Sequence, residues 1–259
     1  MHIDWIVPDW PAPPSVRAVC TTRQGGESRP PYDSLNLGDH VGDEPLAVAR
    51  NRAVLAQAIG ARPVFLQQVH GSGVMPLAAG TPDGTQADGC VATSSGLACT
   101  IMVADCLAVL FTDRAGRAVA AAHAGWRGLA GTAGQGVIET TAQAFWATLR
   151  TTRADAANST LVWLGPCIGP QAFEVGDEVR QVFASQQREA QALFQPHAPG
   201  KWLADLQGLA RLRLAALGIT AVHGNDGSAG WCTASNPSRF FSHRRDRVSG
   251  RFAASIWLA

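Results

Sequence analysis

The chain has 259 residues, 46% of them apolar, which is enough to bury a large core. Lys plus Arg total 21 and Asp plus Glu total 20, so the formal net charge is +1. That near-neutral balance gives no electrostatic case for nucleic acid or for an acidic membrane surface. The apolar content excludes a disordered chain.

No stretch approaches the roughly 20 consecutive apolar residues of a membrane span. The start, MHIDWIVPDWPAPP, lacks a basic region, carries Asp4 and Asp9 and breaks at Pro8, so it does not read as a signal peptide. A cytoplasmic protein is expected. Its cysteines (Cys20, Cys90, Cys99, Cys106, Cys167, Cys232) are then thiols or metal ligands rather than disulfides.

In chain order, Val16–Thr22 reads as a strand, and Gln24–Gly42, rich in Gly, Pro, Asn and Asp, as a long loop. Asp43 is expected to cap a helix with Pro45 in its first turn, running to Ile59 and stopped by Gly60. Pro63–Val69 reads as a strand ending at His70, and Gly80–Gly89 as a polar loop. Ala98–Val103, Leu107–Thr112 and Arg117–Ala122 are near-continuous apolar runs, as expected of strands covered on both faces. A helix is predicted over Thr132–Leu149 and a strand over Leu161–Leu164. Helices follow at Gly176–Leu193 and Asp205–Leu217, with closing strands at Thr220–His223 and Arg251–Leu258. The alternation predicts a single α/β domain over 1–259, a mixed sheet with helices packed outside.

No phosphate-binding glycine loop, dinucleotide fingerprint, nucleophile elbow, H-E-x-x-H or C-x-x-C motif occurs. Polar groups instead interrupt the apolar strands: His70 in Gln68-Val69-His70-Gly71, Cys106 in Ala104-Asp105-Cys106, and His123 in His123-Ala124-Gly125-Trp126. Strand ends on one sheet edge converge. Two imidazoles and one thiolate there form a three-ligand site suited to zinc, with the fourth position left for water. Taken singly, each is more often a packed or surface residue than a ligand, and the spacings of 36 and 17 residues carry little by themselves. The other five cysteines read as packing residues, Cys167 least clearly because it sits in a Gly/Pro-framed turn. Arg23, Arg52, Arg127, Arg244 and Arg245 form a second set of interest, because arginine binds phosphate or carboxylate at two points.

Several segments in order carry a family resemblance. They are Thr21-Thr22-Arg23-Gln24-Gly25-Gly26, Ser34-Leu35-Asn36-Leu37-Gly38, Asn51-Arg52, Gln68-Val69-His70-Gly71 and Asp88-Gly89. Ala104-Asp105-Cys106, His123-Ala124-Gly125-Trp126-Arg127-Gly128, Gly165-Pro166-Cys167-Ile168-Gly169-Pro170 and Ser242-His243-Arg244-Arg245-Asp246 continue the match. The chain resembles the laccase-domain family, also called multicopper polyphenol oxidoreductases and described as purine nucleoside phosphorylases.

The resemblance implies a fold similar to the catalytic domain of deamidating cytotoxic necrotizing toxins. It implies zinc, or copper in its place, held by His70, Cys106 and His123, which are then also the catalytic centre. It implies phosphorolysis of adenosine, inosine, guanosine and S-methyl-5'-thioadenosine, and deamination of adenosine to inosine. The implied partners are purine nucleosides and phosphate, with Arg52 and Arg127 as candidate substrate contacts. Oligomeric state stays open, a monomer being sufficient. Three rival readings remain: a cysteine amidase acting on a cell-wall precursor, with Cys106 as nucleophile; a copper phenol oxidase; and a non-enzymatic structural zinc or binding module, against which the absent fourth protein ligand speaks. The seven His, none in an H-x-H pair, speak against a multicopper cluster.

Overall fold

Alternate side chains of each central strand enter two different cores, and this sets the layering. The computed structural model describes residues 4–259, so the first three residues of the stretch read as lacking a signal peptide lie outside it. The strands are β1 (Val16–Cys20), β2 (Arg62–Phe65), β3 (Val74–Pro76), β4 (Gly89–Ala92), β5 (Leu97–Val103), β6 (Leu107–Asp113), β7 (Val119–Ala124), β8 (Thr160–Leu164), β9 (Glu174–Gly176), β10 (Phe194–Ala198), β11 (Lys201–Ala204), β12 (Ala221–Gly224) and β13 (Phe252–Leu258). The α-helices are α1 (Pro45–Ile59), α2 (Trp126–Ala130), α3 (Val137–Leu149), α4 (Arg153–Ser159), α5 (Asp177–Gln186), α6 (Leu206–Ala216) and α7 (His243–Asp246).

The strands form three sheets rather than the one mixed sheet expected. A four-stranded sheet runs β1-β13-β5-β2, a six-stranded sheet β12-β8-β6-β7-β4-β3, and a small sheet β10-β11-β9. The two larger sheets contain both parallel and antiparallel pairs. They face each other: Cys99, Ile101 and Ile256 of one pack with Ala108, Leu110 and Ala121 of the other. On its far side the six-stranded sheet turns Val109, Phe111 and Ala122 onto Ile138 and Phe145 of α3 and Leu209 of α6. The four-stranded sheet turns Ala98, Met102 and Trp257 onto Leu55 and Ile59 of α1. The order is therefore helix, sheet, sheet, helices. Both faces of β5, β6 and β7 are covered, which is why these segments are near-continuously apolar although their pairing is largely antiparallel. No helix among the described residues is long and apolar enough to cross a membrane.

Local chemistry moves several boundaries. Helix α1 ends at Gly60 in the left-handed conformation as expected, but Glu44 caps its start, its carboxylate accepting from the N–H groups of Leu46 and Ala47. Asp43 instead accepts from Ser28 and Asn36 and braces the long loop. The strand predicted over Pro63–Val69 stops at Phe65. Beyond it the side-chain amide of Gln68 replaces the ladder, donating to Met102 O at 2.8 Å and accepting from Met102 N at 2.9 Å.

The helix predicted over Thr132–Leu149 is broken. Gly131, Ala133 and Gly134 take positive φ, and Glu139 caps the restart by accepting from Gly136 N at 2.9 Å. The helix predicted over Gly176–Leu193 ends at Gln186 and gives way to a 3₁₀ turn at Arg188–Leu193. The β9–β11 sheet, β3 and α4 were not apparent from the sequence; each is short and has little periodicity.

Candidate metal centre and cavity

The crossing from one sheet to the other builds the site. Strand β5 belongs to the four-stranded sheet and β6 to the six-stranded one, and Ala104-Asp105-Cys106 is the step between them, with Asp105 at φ 89°. Cys106 immediately precedes β6. The antiparallel register pairs Leu107 with Ala124 and Ala108 with His123, so His123 on β7 is brought beside Cys106. His70 arrives from the loop after β2, at φ 59°. Its backbone N–H donates to Asp88 Oδ1 at 2.9 Å.

The donor atoms of His70, Cys106 and His123 lie within 4.8 Å of one another. Cys106 Sγ and His70 Nε2 are 3.7 Å apart. A tetrahedral zinc with bonds of about 2.05 Å to nitrogen and 2.3 Å to sulfur separates those donors by about 3.6 Å. The His70 and His123 rings meet edge-on with centroids 4.7 Å apart. His123 Nδ1 donates to Asp88 Oδ1 at 2.8 Å, which leaves Nε2 for a metal. Gly125 keeps the centre clear, since a Cβ there would sit 2.8 Å from His70 Cδ2 and 2.9 Å from Cys106 Sγ. Among the described residues no fourth His, Cys, Asp or Glu joins the triplet. The donor set, its spacing and the absence of a fourth side chain fit a zinc ion with an open vertex.

Electrostatics prepare the donors. Burial alone would raise the Cys106 thiol, but the positive charge on His123 and hydrogen bonds from His123 and His70 outweigh it and bring the pKa down to about 6. Burial alone would lower His123, but the Cys106 thiolate and Asp88 hold it up to about 9. Without metal these two form a thiolate–imidazolium pair, so the thiolate a metal requires is already favoured.

The triplet opens into a cavity of about 420 Å³, a size that suits a small-molecule ligand. Met102, Ile168, Phe173 and Trp126 supply apolar wall, and Arg127, Arg244, Arg247 and Arg251 supply charge. Of the two arginines singled out as substrate contacts, Arg127 lines this cavity, its guanidinium 4.4 Å from the Trp126 ring centroid. Arg52 lies in a neighbouring hollow, stacked on Phe65 and paired with Asp39 at 3.2 Å. Arg23 and Arg245 are tied to carboxylates and backbone carbonyls elsewhere. All six cysteines are free, and the five outside the site are buried. Cys167 packs under Asn225, and burial pushes its thiol well up.

Asp88, present in the sequence as part of the Asp88-Gly89 family segment, has a role that only the structure assigns. It is fully buried and accepts from Val69, His70 and Gly71 as well as His123. Its signal in the sequence is that Asp88-Gly89 segment, at the end of a polar loop, with nothing local to tie it to His123.

The fold and site define a single-domain mixed α/β protein with a three-donor pocket able to hold a metal. The sequence model of the family described as multi-copper polyphenol oxidoreductase laccase matches residues 17–259, and the chain belongs to that family. It is 50% identical over 255 residues to purine nucleoside phosphorylase PA4543 of Pseudomonas aeruginosa, covering 98% of each. It is 48% identical to purine nucleoside phosphorylase YfiH of Escherichia coli, again over 98% of each. The crystal structure of Neisseria meningitidis protein NMB0706 superposes with a TM-score of 0.89 at 44% identity, covering 98% of this chain and 99% of that one.

Proposed function

We propose that this chain is a zinc-dependent purine nucleoside phosphorylase that cleaves adenosine, inosine, guanosine and S-methyl-5'-thioadenosine with phosphate and also deaminates adenosine. The carrying observation is the open-sided His70–Cys106–His123 triplet on a 420 Å³ cavity, in a chain about half identical to proteins bearing that name. The six free cysteines suit the reducing cytoplasm as its workplace.

His70, Cys106 and His123 would hold the zinc. When bound there, zinc supplies a Lewis acid and an activated water, with a water pKa of roughly 7, the reagent that hydrolysis at C6 of adenine requires. The remaining steps fall to the protein. Trp126 and Phe173 offer flat faces for the purine. Arg127, beside Trp126, bears on the same end of the cavity. Two further imidazoles, His40 and His243, line the cavity and are the candidate proton donors to the leaving base. Positive charge builds on the ribose as the C1′–N9 bond breaks, so the phosphate must be oriented by fixed cations on the opposite face.

One observation favours a second reading. Cys106, His123 and Asp88 stand in the order nucleophile, base and orienting carboxylate, with the thiol at about 6. A metal-free cysteine amidase would use that arrangement. Multicopper oxygen chemistry has less support, since the triplet is the one metal-holding group of three or more donors among the described residues.

Product analysis on adenosine, with and without phosphate, separates these. Ribose 1-phosphate formed only with phosphate supports phosphorolysis, and inosine supports deamination. Turnover of an amide with an acylated Cys106, and of no nucleoside, replaces the reading with the amidase.

A further inference from the structure

The cavity carries more positive charge than the metal triplet needs. Arg127, Arg244, Arg247 and Arg251 line it against one carboxylate, Asp105. Both oxygens of that carboxylate are engaged, Oδ1 by Thr233 Oγ1 and Oδ2 by the backbone N–H of Arg244, each at 2.6 Å. Among the described residues no carboxylate forms an ion pair with Arg244, Arg247 or Arg251, whereas Arg52 has Asp39 and Arg213 has Glu139. A guanidinium removed from water without a counter-ion is costly, and such a group is a reason to look for an anion.

Arg251 shows the strongest build. Its stem lies over Gly38, where a Cβ would come within 2.8 Å of Arg251 Cγ. One terminal nitrogen donates to Ser249 O at 2.8 Å and Gly250 O at 3.0 Å, which fixes the fork; among the described residues its other nitrogens have no acceptor, and the residue lines the cavity. Burial pulls this guanidinium below its ordinary value even though Cys106 and Asp105 act the other way. Its charge also reaches His40, which burial and Arg251 together hold below the ordinary histidine value. Arg244 is set by its own backbone bond to Asp105 and by a 2.9 Å bond from its side chain to Glu174 O. Arg247 is exposed at the rim, with no side-chain hydrogen bond among the described residues.

We propose that Arg251 and Arg244, with Arg247 at the rim, form the seat of the phosphate co-substrate. The inference rests on the phosphorylase reading. It moves the anion contact away from Arg52, whose guanidinium is already neutralised, to the segment between Ser242 and Arg251. A tetrahedral oxyanion matches forked guanidinium donors at two points, which isolated ammonium groups do not offer. Asp105 links this seat to the His70–Cys106–His123 triplet: it precedes Cys106 in sequence and holds the backbone of Arg244. One hydrogen-bonded carboxylate therefore ties the seat to the triplet.

The test is the phosphate KM for inosine phosphorolysis, paired with calorimetric titration of inorganic phosphate into the zinc-loaded protein. Loss of a charge-assisted hydrogen bond predicts a phosphate KM about ten- to a hundredfold higher in Arg251→Gln and Arg244→Gln, with the inosine KM and zinc content unchanged. Arg247→Gln, which breaks no internal bond, is expected to shift phosphate binding in the same direction and reads the site even if Arg251→Gln does not fold. A wild type that splits inosine, with phosphate KM unmoved in the soluble variants, overturns the seat and leaves the activity standing. A wild type that binds phosphate, loses binding in the variants and splits no nucleoside keeps the seat and removes the phosphorylase reading. A wild type that gives no heat with phosphate overturns the seat.

Discussion

Asp88 Oδ1 receives His123 Nδ1–H at 2.8 Å, while the same carboxylate accepts the backbone N–H groups of Val69, His70 and Gly71. One buried side chain thus orients one imidazole and positions the loop that delivers the other. Outer carboxylates of this kind set ligand tautomer and affinity. Asp88→Asn is expected to weaken zinc affinity about 10–100-fold. Competition with a chelator measures it, and unchanged affinity would remove Asp88 from the account.

The same carboxylate predicts a pH dependence. Burial by itself would raise Asp88, but the His123 hydrogen bond and the Gly71 and Val69 N–H groups hold it below the usual carboxylate range. A depressed folded-state value stabilises the fold above the unfolded value, and that contribution is lost as pH falls through the folded one. Urea unfolding of metal-free protein should therefore lose stability below about pH 4, with a shallower loss in Asp88→Asn. Identical slopes would contradict the assignment.

Cys106 should react as a thiolate when metal is absent. With its pKa near 6, alkylation by iodoacetamide in metal-free protein should reach half its maximal rate at about that pH. Zinc loading should suppress it. Equal alkylation with and without zinc would mean that the sulfur is not a ligand.

Gly125→Ala tests the clearance around the donors. Its φ of −71° suits any residue, so backbone strain plays no part. The added methyl would press on His70 Cδ2 and Cys106 Sγ, which lie 2.8 and 2.9 Å from the Cβ position. Overpacking of this kind costs about 1–3 kcal/mol. Substoichiometric zinc in a folded protein is expected; full zinc occupancy would show that the donors have room to shift.

Arg213 and Glu139 form an ion pair of 3.0 Å between α6 and α3, with both side chains buried. Arg213→Leu strands the carboxylate, which also caps α3, and should cost about 3–5 kcal/mol by denaturant titration. A loss below about 1 kcal/mol would place that carboxylate in contact with water.

Sequence patterns reveal elements whose signal is local. The strands around Ile101, Leu110 and Ala121 stood out because both of their faces are covered. His70, Cys106 and His123 stood out as polar interruptions in apolar runs, and the structure brings them together. Asp88 did not stand out, because its partner His123 is 35 residues away and becomes a neighbour only through the pairing of β4 with β7. Arg251 was hidden for the same reason, since its place over Gly38 depends on contacts across most of the chain. Glu44 displaced Asp43 as helix cap because Asp43 was recruited by Ser28 and Asn36, a tertiary choice that the capping pattern does not contain.

The central claim is that one zinc on His70, Cys106 and His123 runs the nucleoside chemistry. The most direct measurement is phosphorolysis of inosine by the zinc-loaded wild type, the stripped and reloaded protein, and His123→Ala, each with zinc content measured on the same sample. About one zinc per chain is expected in the wild type. Ribose 1-phosphate formation is expected to fall with stripping, return with zinc, and be absent in a folded His123→Ala. Wild-type rates in zinc-free His123→Ala would contradict the central claim.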